Sequence, residues 1–222
     1  MYPVTLKISG RLCAVVGGGQ VAERKILALL KAGAQVRTVS PQLTETLQEL
    51  AAAGRIDWLS RYFQARDVTG AMLVFAATDS REVNATVAQE AKKAGQLVNI
   101  ADAPEQCDFQ VPAVLRQRDL TIAVSTNGKS PALSARIRKQ LETDYGPEYA
   151  ILLDLLGRIR AQELAGNRDE AARKNLLANI LHEDMLDWIR NGQQERLHYH
   201  LRTVLGTDAL AVLSLSRLDL AK

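Results

Sequence analysis

The stretch Val15-Val16-Gly17-Gly18-Gly19-Gln20-Val21-Ala22-Glu23-Arg24-Lys25 constrains the fold more than any other part of the chain. An apolar run over 12–16 stops at three glycines, and a helical pattern begins directly behind them. Gly17, Gly19 and Ala22 fill the G-x-G-x-x-A register of a dinucleotide-binding turn. Gly17 lets a strand turn sharply into a helix, and Gly19 lets backbone approach a pyrophosphate. Small Ala22 lets the helix pack close to the strand. The free N–H groups of the helix start then face phosphate oxygens. The same glycines also suit a tight turn that binds nothing. The strand before and the helix after, near the N-terminus, are what favour a nucleotide.

Strand and helix patterns alternate through the first half. Residues 12–16, 35–39, 56–59, 72–76 and 97–99 read as strands, and 21–31, 42–53 and 81–94 as helices. Gly33, Gly54 and Gly95 follow the three helices, where glycine is the expected C-terminal stop. Alternation of this kind implies a parallel sheet covered on both faces. The pattern changes after about Pro112. Residues 109–115 and 120–124 read as two strands, and Ser130-Pro131 opens a helix with a capping serine and a first-turn proline. From Pro147 onward the pattern is helical, with Leu152, Leu155, Leu156 and Ile159 on one face. Breaks fall near Gly166-Asn167 and Asn191-Gly192.

Composition excludes several function classes. The 222 residues are 47% hydrophobic, enough for a real core, and the formal net charge of +3 does not call for a nucleic-acid partner. No long apolar stretch stands at the N-terminus, so neither a signal peptide nor a membrane span is expected. Cys13 and Cys107 show neither metal-ligand spacing nor a disulfide framework, which suits a reducing cytoplasm. His182, His198 and His200 are the only histidines. A histidine-dependent alcohol or hydroxy-acid mechanism is therefore hard to build in the first 181 residues. His198 and His200 are two apart on a predicted helix and point away from each other, so no metal site is expected there.

Ligands of open α/β sheets sit beyond the C-terminal strand ends, where strand order reverses. The predicted ends carry Gly17, Gly18, Gly19, Gln20 and Val21, then Ser40 and Pro41, then Thr78 and Asp79, then Asn99 to Asp102, and these segments are expected to converge on one crevice. The acidic residue that usually meets the adenosine ribose is missing near Ser40. Arg37 suits either a 2′-phosphate or solvent. Asp79 reads as a cap for the third helix or as a ribose contact. Asp102, before Ala103-Pro104, reads as a general base or as the Asx turn of a loop. Ser125, Thr126, Asn127, Gly128 and Lys129 combine hydroxyls, an amide and a cation ahead of a helix start, suiting either a carboxylate-rich ligand or a polar loop with an N-cap.

Three ordered segments, V-V-G-G-G-x-V-A-x-R-K, N-x-x-D-A-P and A-V-S-T-N-G-K-S-P, with A-A-T-D between the first two, resemble precorrin-2 dehydrogenases. These form the N-terminal module of siroheme synthases and in some members are also sirohydrochlorin ferrochelatases. The resemblance covers residues 1–150 closely. It implies an NAD-binding Rossmann-like domain over 1–112, a small dimerisation region over 113–146 and an all-helical region over 147–222, assembled as a homodimer. It implies NAD-dependent oxidation of precorrin-2 to sirohydrochlorin, with Fe²⁺ as a further substrate where chelation accompanies it. Gln20 and Val21 align with the family's pyrophosphate-side contact, and Pro41 and Gln42 with its second cofactor contact. Asp102 aligns with the catalytic aspartate. Thr126 stands where some members carry a serine that can be phosphorylated. Lys129 and its loop are then the first choice for the substrate's carboxylates. The rival readings are a non-catalytic NAD(H) sensor and another NAD(P) oxidoreductase.

Overall fold

The structure, a computed structural model, describes residues 1–166 and 169–206. The chain divides into two compact units, Met1–Val111 and Pro112–Lys222.

The first unit is a five-stranded sheet in the order β3-β2-β1-β4-β5, with every pair parallel. Its strands are β1 (Leu12–Val16), β2 (Gln35–Val39), β3 (Asp57–Leu59), β4 (Leu73–Ala76) and β5 (Leu97–Ile100). Helices α1 (Gln20–Lys31), α2 (Glu45–Ala52) and α3 (Arg81–Lys93) cover it. Successive side chains of a strand point to opposite faces, and β1 shows both faces in use. Cys13 and Val15 pack with Ala22, Ile26 and Leu29 of α1 and Leu47 of α2. Ala14 and Val16 pack with Val87, Ala88 and Ala91 of α3. A strand buried on both sides reads as an unbroken apolar run, which is why 12–16 and 73–76 carry so little polarity.

Several boundaries differ from the sequence expectation, each for a local reason. The second helix begins at Glu45 rather than 42, because the Ser40 hydroxyl donates to the Gln42 carbonyl at 2.7 Å and Thr44 is the cap, its hydroxyl accepting from Leu47 N. Ser80, not Asp79, caps α3, accepting from Val83 N at 3.3 Å. The sixth strand starts at Ala113 rather than 109. Phe109 instead packs edge-on against Phe75 in the sheet's core, and Pro112 has no N–H to give a ladder.

The second unit pairs β6 (Ala113–Gln117) with β7 (Leu120–Val124) as an antiparallel hairpin turned by Arg118 at φ 51°. Helices α4 (Pro131–Asp144), α5 (Glu148–Ala165), α6 (Glu170–Ile180), α7 (Met185–Arg190) and α8 (Gln194–Leu205) follow. Leu152, Leu155 and Ile159 of α5 are buried with Ile180, Met185, Ile189, Leu197 and Leu201 in one apolar core. Glu148, at the start of α5, is fixed to Arg190, at the end of α7, by a 2.6 Å ion pair. Gly192, at φ 64°, makes the break expected at Asn191-Gly192. Asn167, part of the other expected break, and 207–222 of the expected helical region lie outside the described residues. Among the described residues no helix is long and apolar enough to cross a membrane.

Candidate functional site

Strand order reverses between β1 and β4, and the loops leaving the two strands open a cavity of about 860 Å³ there. Residues 17–21, 40–42 and 78–79 all line it, so three of the four segments expected to converge share one cavity; of Asn99 to Asp102 only Ala101 reaches it, and Asp102 lines a second cavity. The three glycines divide their work. Gly17 adopts φ 125°, and a Cβ on it would overlap the carbonyl oxygen of Ala77. A Cβ on Gly18 would overlap the carbonyl oxygen of Gln42, a contact the sequence pattern does not announce. Gly19 has an ordinary φ of −84° and nothing within 4 Å of its would-be Cβ. Gly17 and Gly18 are therefore demanded by the protein's own packing. Gly19 needs no such explanation from the fold, and the space beside it is open for a ligand.

The start of α1 has the character of an anion site. Thr44 caps α2 and Ser80 caps α3, whereas no side chain caps α1 behind Gly19. The free N–H groups of that first turn face the cavity mouth with the positive end of the helix dipole behind them. Val21 is an exposed apolar residue on the same turn. Glu23 is kept away from the mouth by accepting a hydrogen bond from the Thr44 hydroxyl. The uncapped turn offers its N–H groups to an anion such as a pyrophosphate.

At the second-strand end two arginines are engaged with carboxylates. Arg37 does not point free into solvent. Its Nε donates to Asp57 of β3 at 2.9 Å and its guanidinium reaches the Asp67 carbonyl. Arg61, which lines the cavity, grips Asp67 with both terminal nitrogens at 2.7 and 2.6 Å. Burial pushes the Asp67 carboxyl up, but the Arg61 hydrogen bonds, the Gln64 N–H and the charges of Arg61 and Arg66 outweigh it and hold it below the usual carboxylate range. Arg61 was not singled out by pattern because its partner is set by folding, not by spacing.

Asp102 follows β5 by two residues. Ala101 lines the large cavity, while Asp102 lines an adjoining one of about 330 Å³ with Arg81, Asn84 and Glu105. It makes no Asx turn. Its Oδ1 accepts from Nδ2 of Asn84 at 3.0 Å, and Oδ2 has Nε of Arg81 at 3.7 Å. Asn84, buried to 1% exposure, also went unremarked in the sequence. Lys25, the last residue of the glycine motif, lies off the cavity. Its ammonium donates to Asn99 at 2.8 Å over the Phe75 ring, and burial pushes it below its ordinary range, with Cys107 opposing.

In the second unit the loop at 125–129 is tightly folded on itself. The Thr126 hydroxyl donates to the Ser130 carbonyl, accepts from Ser130 N and meets the Ser134 hydroxyl. Ser130 caps α4, Asn127 and Gly128 take left-handed φ values of 52° and 79°, and the Lys129 side chain is left exposed. His200 turns inward to the Ile180 carbonyl at 2.9 Å and clusters with His182 and Trp188.

Comparison with known proteins agrees with this geometry. Residues 4–113 match the family described as "Putative NAD(P)-binding", and residues 117–143 match "Sirohaem biosynthesis protein central". The chain belongs to the siroheme synthase family over these two regions. Siroheme synthase of Methylobacillus flagellatus is 36% identical over 207 residues, covering 91% of this chain and 44% of that protein. Siroheme synthase 1 of Aeromonas salmonicida is 38% identical over 184 residues, covering 83% and 39%. The chain spans less than half the length of these relatives. A solved structure titled SirC, precorrin-2 dehydrogenase, superposes with a TM-score of 0.79 at 28% identity, covering 93% of this chain and all of that one. The first unit of the chain carries a nicotinamide-cofactor-binding fold.

Proposed function

We propose that this chain oxidises precorrin-2 to sirohydrochlorin with NAD. The observation that carries the reading is the uncapped, glycine-led start of α1 at the β1/β4 switch point, with the Asp102 carboxylate following β5 on the same edge of the sheet. The chain's similarity to siroheme synthases and to SirC supports the substrate. Bound NAD supplies the hydride acceptor. The N–H groups around Gln20 and Val21 hold the pyrophosphate, and residues 40–42 take the adenosine side. Asp102 takes the proton that leaves the reduced macrocycle as the hydride departs, so two hydrogens are removed in balance. NAD is favoured over NADP because Arg61 and Arg37 are each already paired with a carboxylate, and a 2′-phosphate wants a free guanidinium. In the second unit, exposed Lys129 offers a cation to a substrate carboxylate.

Residues 113–146 are the proposed contact between two copies. Leu133 and Ile137, four apart on α4, leave an apolar stripe 48% and 36% exposed. Light scattering checks this, and a monomer at micromolar concentration removes it. Both cysteines are free, and the proposed setting is the cytoplasm.

The deciding experiment is anaerobic. The protein is mixed with precorrin-2 and either NAD or NADP, then with Fe²⁺, and the chromophore is followed. Conversion with NAD is expected, and the Fe²⁺ arm reads chelation separately. No spectral change with either cofactor overturns the dehydrogenase reading and leaves a nucleotide-binding module.

A further inference from the structure

Asn84 uses both N–H donors and both acceptor positions of its side-chain amide. It lies on α3, is 1% exposed, and makes four hydrogen bonds. Its Oδ1 accepts from Thr78 N at 3.1 Å and from the Thr78 hydroxyl at 2.8 Å. Its Nδ2 donates to the Thr78 carbonyl and to Asp102 Oδ1, both at 3.0 Å. The orientation of the amide is not arbitrary. A backbone N–H can only donate, so Thr78 N must face the amide oxygen, and the amide nitrogen then faces Asp102. Thr78 lines the large cavity and Asp102 the small one. One buried amide therefore ties the loop after β4 to the loop after β5.

We infer that Asn84 is a positioning residue for Asp102, holding Oδ1 and leaving Oδ2 as the oxygen that takes the substrate's proton. This rests on the proposed role of Asp102 as the base. Two features of the structure carry it. Oδ1 is occupied by a donor from a side chain that cannot swing, because its other three bonds are to one residue's backbone and hydroxyl. Oδ2 has no hydrogen bond among the described residues, only the Nε of Arg81 at 3.7 Å, and that arginine is 91% exposed. The other charged groups around Asp102 are Arg81 from α3 and Glu105 from the turn at Pro104–Gln106. Neither is buried, and neither fixes the carboxylate's orientation as the amide does.

The test compares the full chain with Asn84→Asp, Asn84→Ser and Asp102→Ala, reading kcat and KM for precorrin-2 anaerobically. Asn84→Asp keeps the shape but sets a second carboxylate against the first. Asn84→Ser shortens the side chain and withdraws it from both Thr78 and Asp102. In both, Asp102 loses the amide that fixes its orientation, so the loss is expected in kcat rather than in KM. kcat is expected to fall about tenfold or more at neutral pH with KM little changed, as when a partner that orients a reacting group is lost. A merely structural asparagine would lower the melting temperature and leave kcat of the folded protein in place. That result, with Asp102→Ala inactive, overturns the positioning role alone. Full turnover in Asp102→Ala overturns the base itself, and the role of Asn84 with it.

Discussion

Gly17 and Ala77 meet backbone to backbone, so closely that a Cβ on Gly17 would overlap the Ala77 carbonyl oxygen. The turn from β1 into α1 is thus wedged against the end of β4, and its φ of 125° is one that only glycine adopts without strain. Gly17→Ala is expected to cost at least about 3 kcal/mol of stability, through strain and overlap together. Gly19→Ala, two residues on, meets nothing within 4 Å and is expected to fold normally. Its effect falls on the ligand instead. Gly19→Asp places a carboxylate where the pyrophosphate belongs, and NAD affinity is expected to drop by about tenfold or more. Thermal melts and calorimetry separate the two. Unchanged NAD affinity in Gly19→Asp would place the phosphates elsewhere.

The Arg61–Asp67 pair makes the first unit acid-sensitive. The folded protein holds Asp67 below its ordinary range, so its stabilising contribution is complete above the unfolded value of about 4 and disappears as pH falls through the lower folded value. Glu148 behaves alike in the second unit: burial raises it, and the Arg190 hydrogen bond and charge more than reverse this. Melting temperature is therefore expected to fall on acidification from about pH 5 to about pH 3. Arg61→Ala leaves the Asp67 carboxylate buried without its partner. It is expected to melt lower at neutral pH and to lose less on acidification than the unsubstituted chain. Parallel acid limbs for the two proteins would show that Arg61 does not set the Asp67 ionisation.

Cofactor choice is expected to follow the same pair. With Arg61 held by Asp67, NAD is expected to bind about tenfold or more tightly than NADP. Asp67→Asn leaves the guanidinium free to meet a 2′-phosphate inside the cavity it already lines, so the preference is expected to narrow. Arg37→Ala removes an arginine that pairs with Asp57 and does not line the cavity, and is expected to leave the preference alone. A preference for NADP in the unsubstituted chain overturns the cofactor assignment.

What the sequence makes legible here is whatever depends on period and punctuation. An unbroken apolar run bounded by glycines defines β1. Parallel strands put all their C-terminal ends on one edge, which is enough to bring Gly19, Pro41 and Thr78 to one cavity. What escapes is whatever depends on a partner chosen by folding. Asn84 reads as an ordinary polar helix residue, because its partners are 6 and 18 positions away. Gly18 looks like a spare glycine until the Gln42 carbonyl is placed beside it. Asp79 and Ser80 are both good caps by type, and only geometry gives the cap to Ser80 and leaves Asp79 in the cavity wall. Arg37 finds Asp57 because the register of β2 against β3 sets them opposite each other.

The loop before α4 separates a residue that builds it from one that it displays. The Thr126 hydroxyl serves both backbone groups of Ser130 and the Ser134 hydroxyl, and Ser130 in turn caps the helix. Thr126→Val removes those bonds and is expected to cost about 1–3 kcal/mol, most of it from polar groups left without partners. Lys129 spends only its backbone N–H on the loop, donating to the Thr126 carbonyl at 3.0 Å, and that bond survives any side-chain change. Lys129→Ala is therefore expected to leave the melting temperature within about 0.5 kcal/mol equivalent of its original value. If Lys129 meets a carboxylate of the tetrapyrrole, the same substitution raises KM for precorrin-2 several-fold while NAD affinity stays put, since loss of uniform binding appears in KM. Unchanged KM in Lys129→Ala would return the loop to a purely structural role, the capped start of α4.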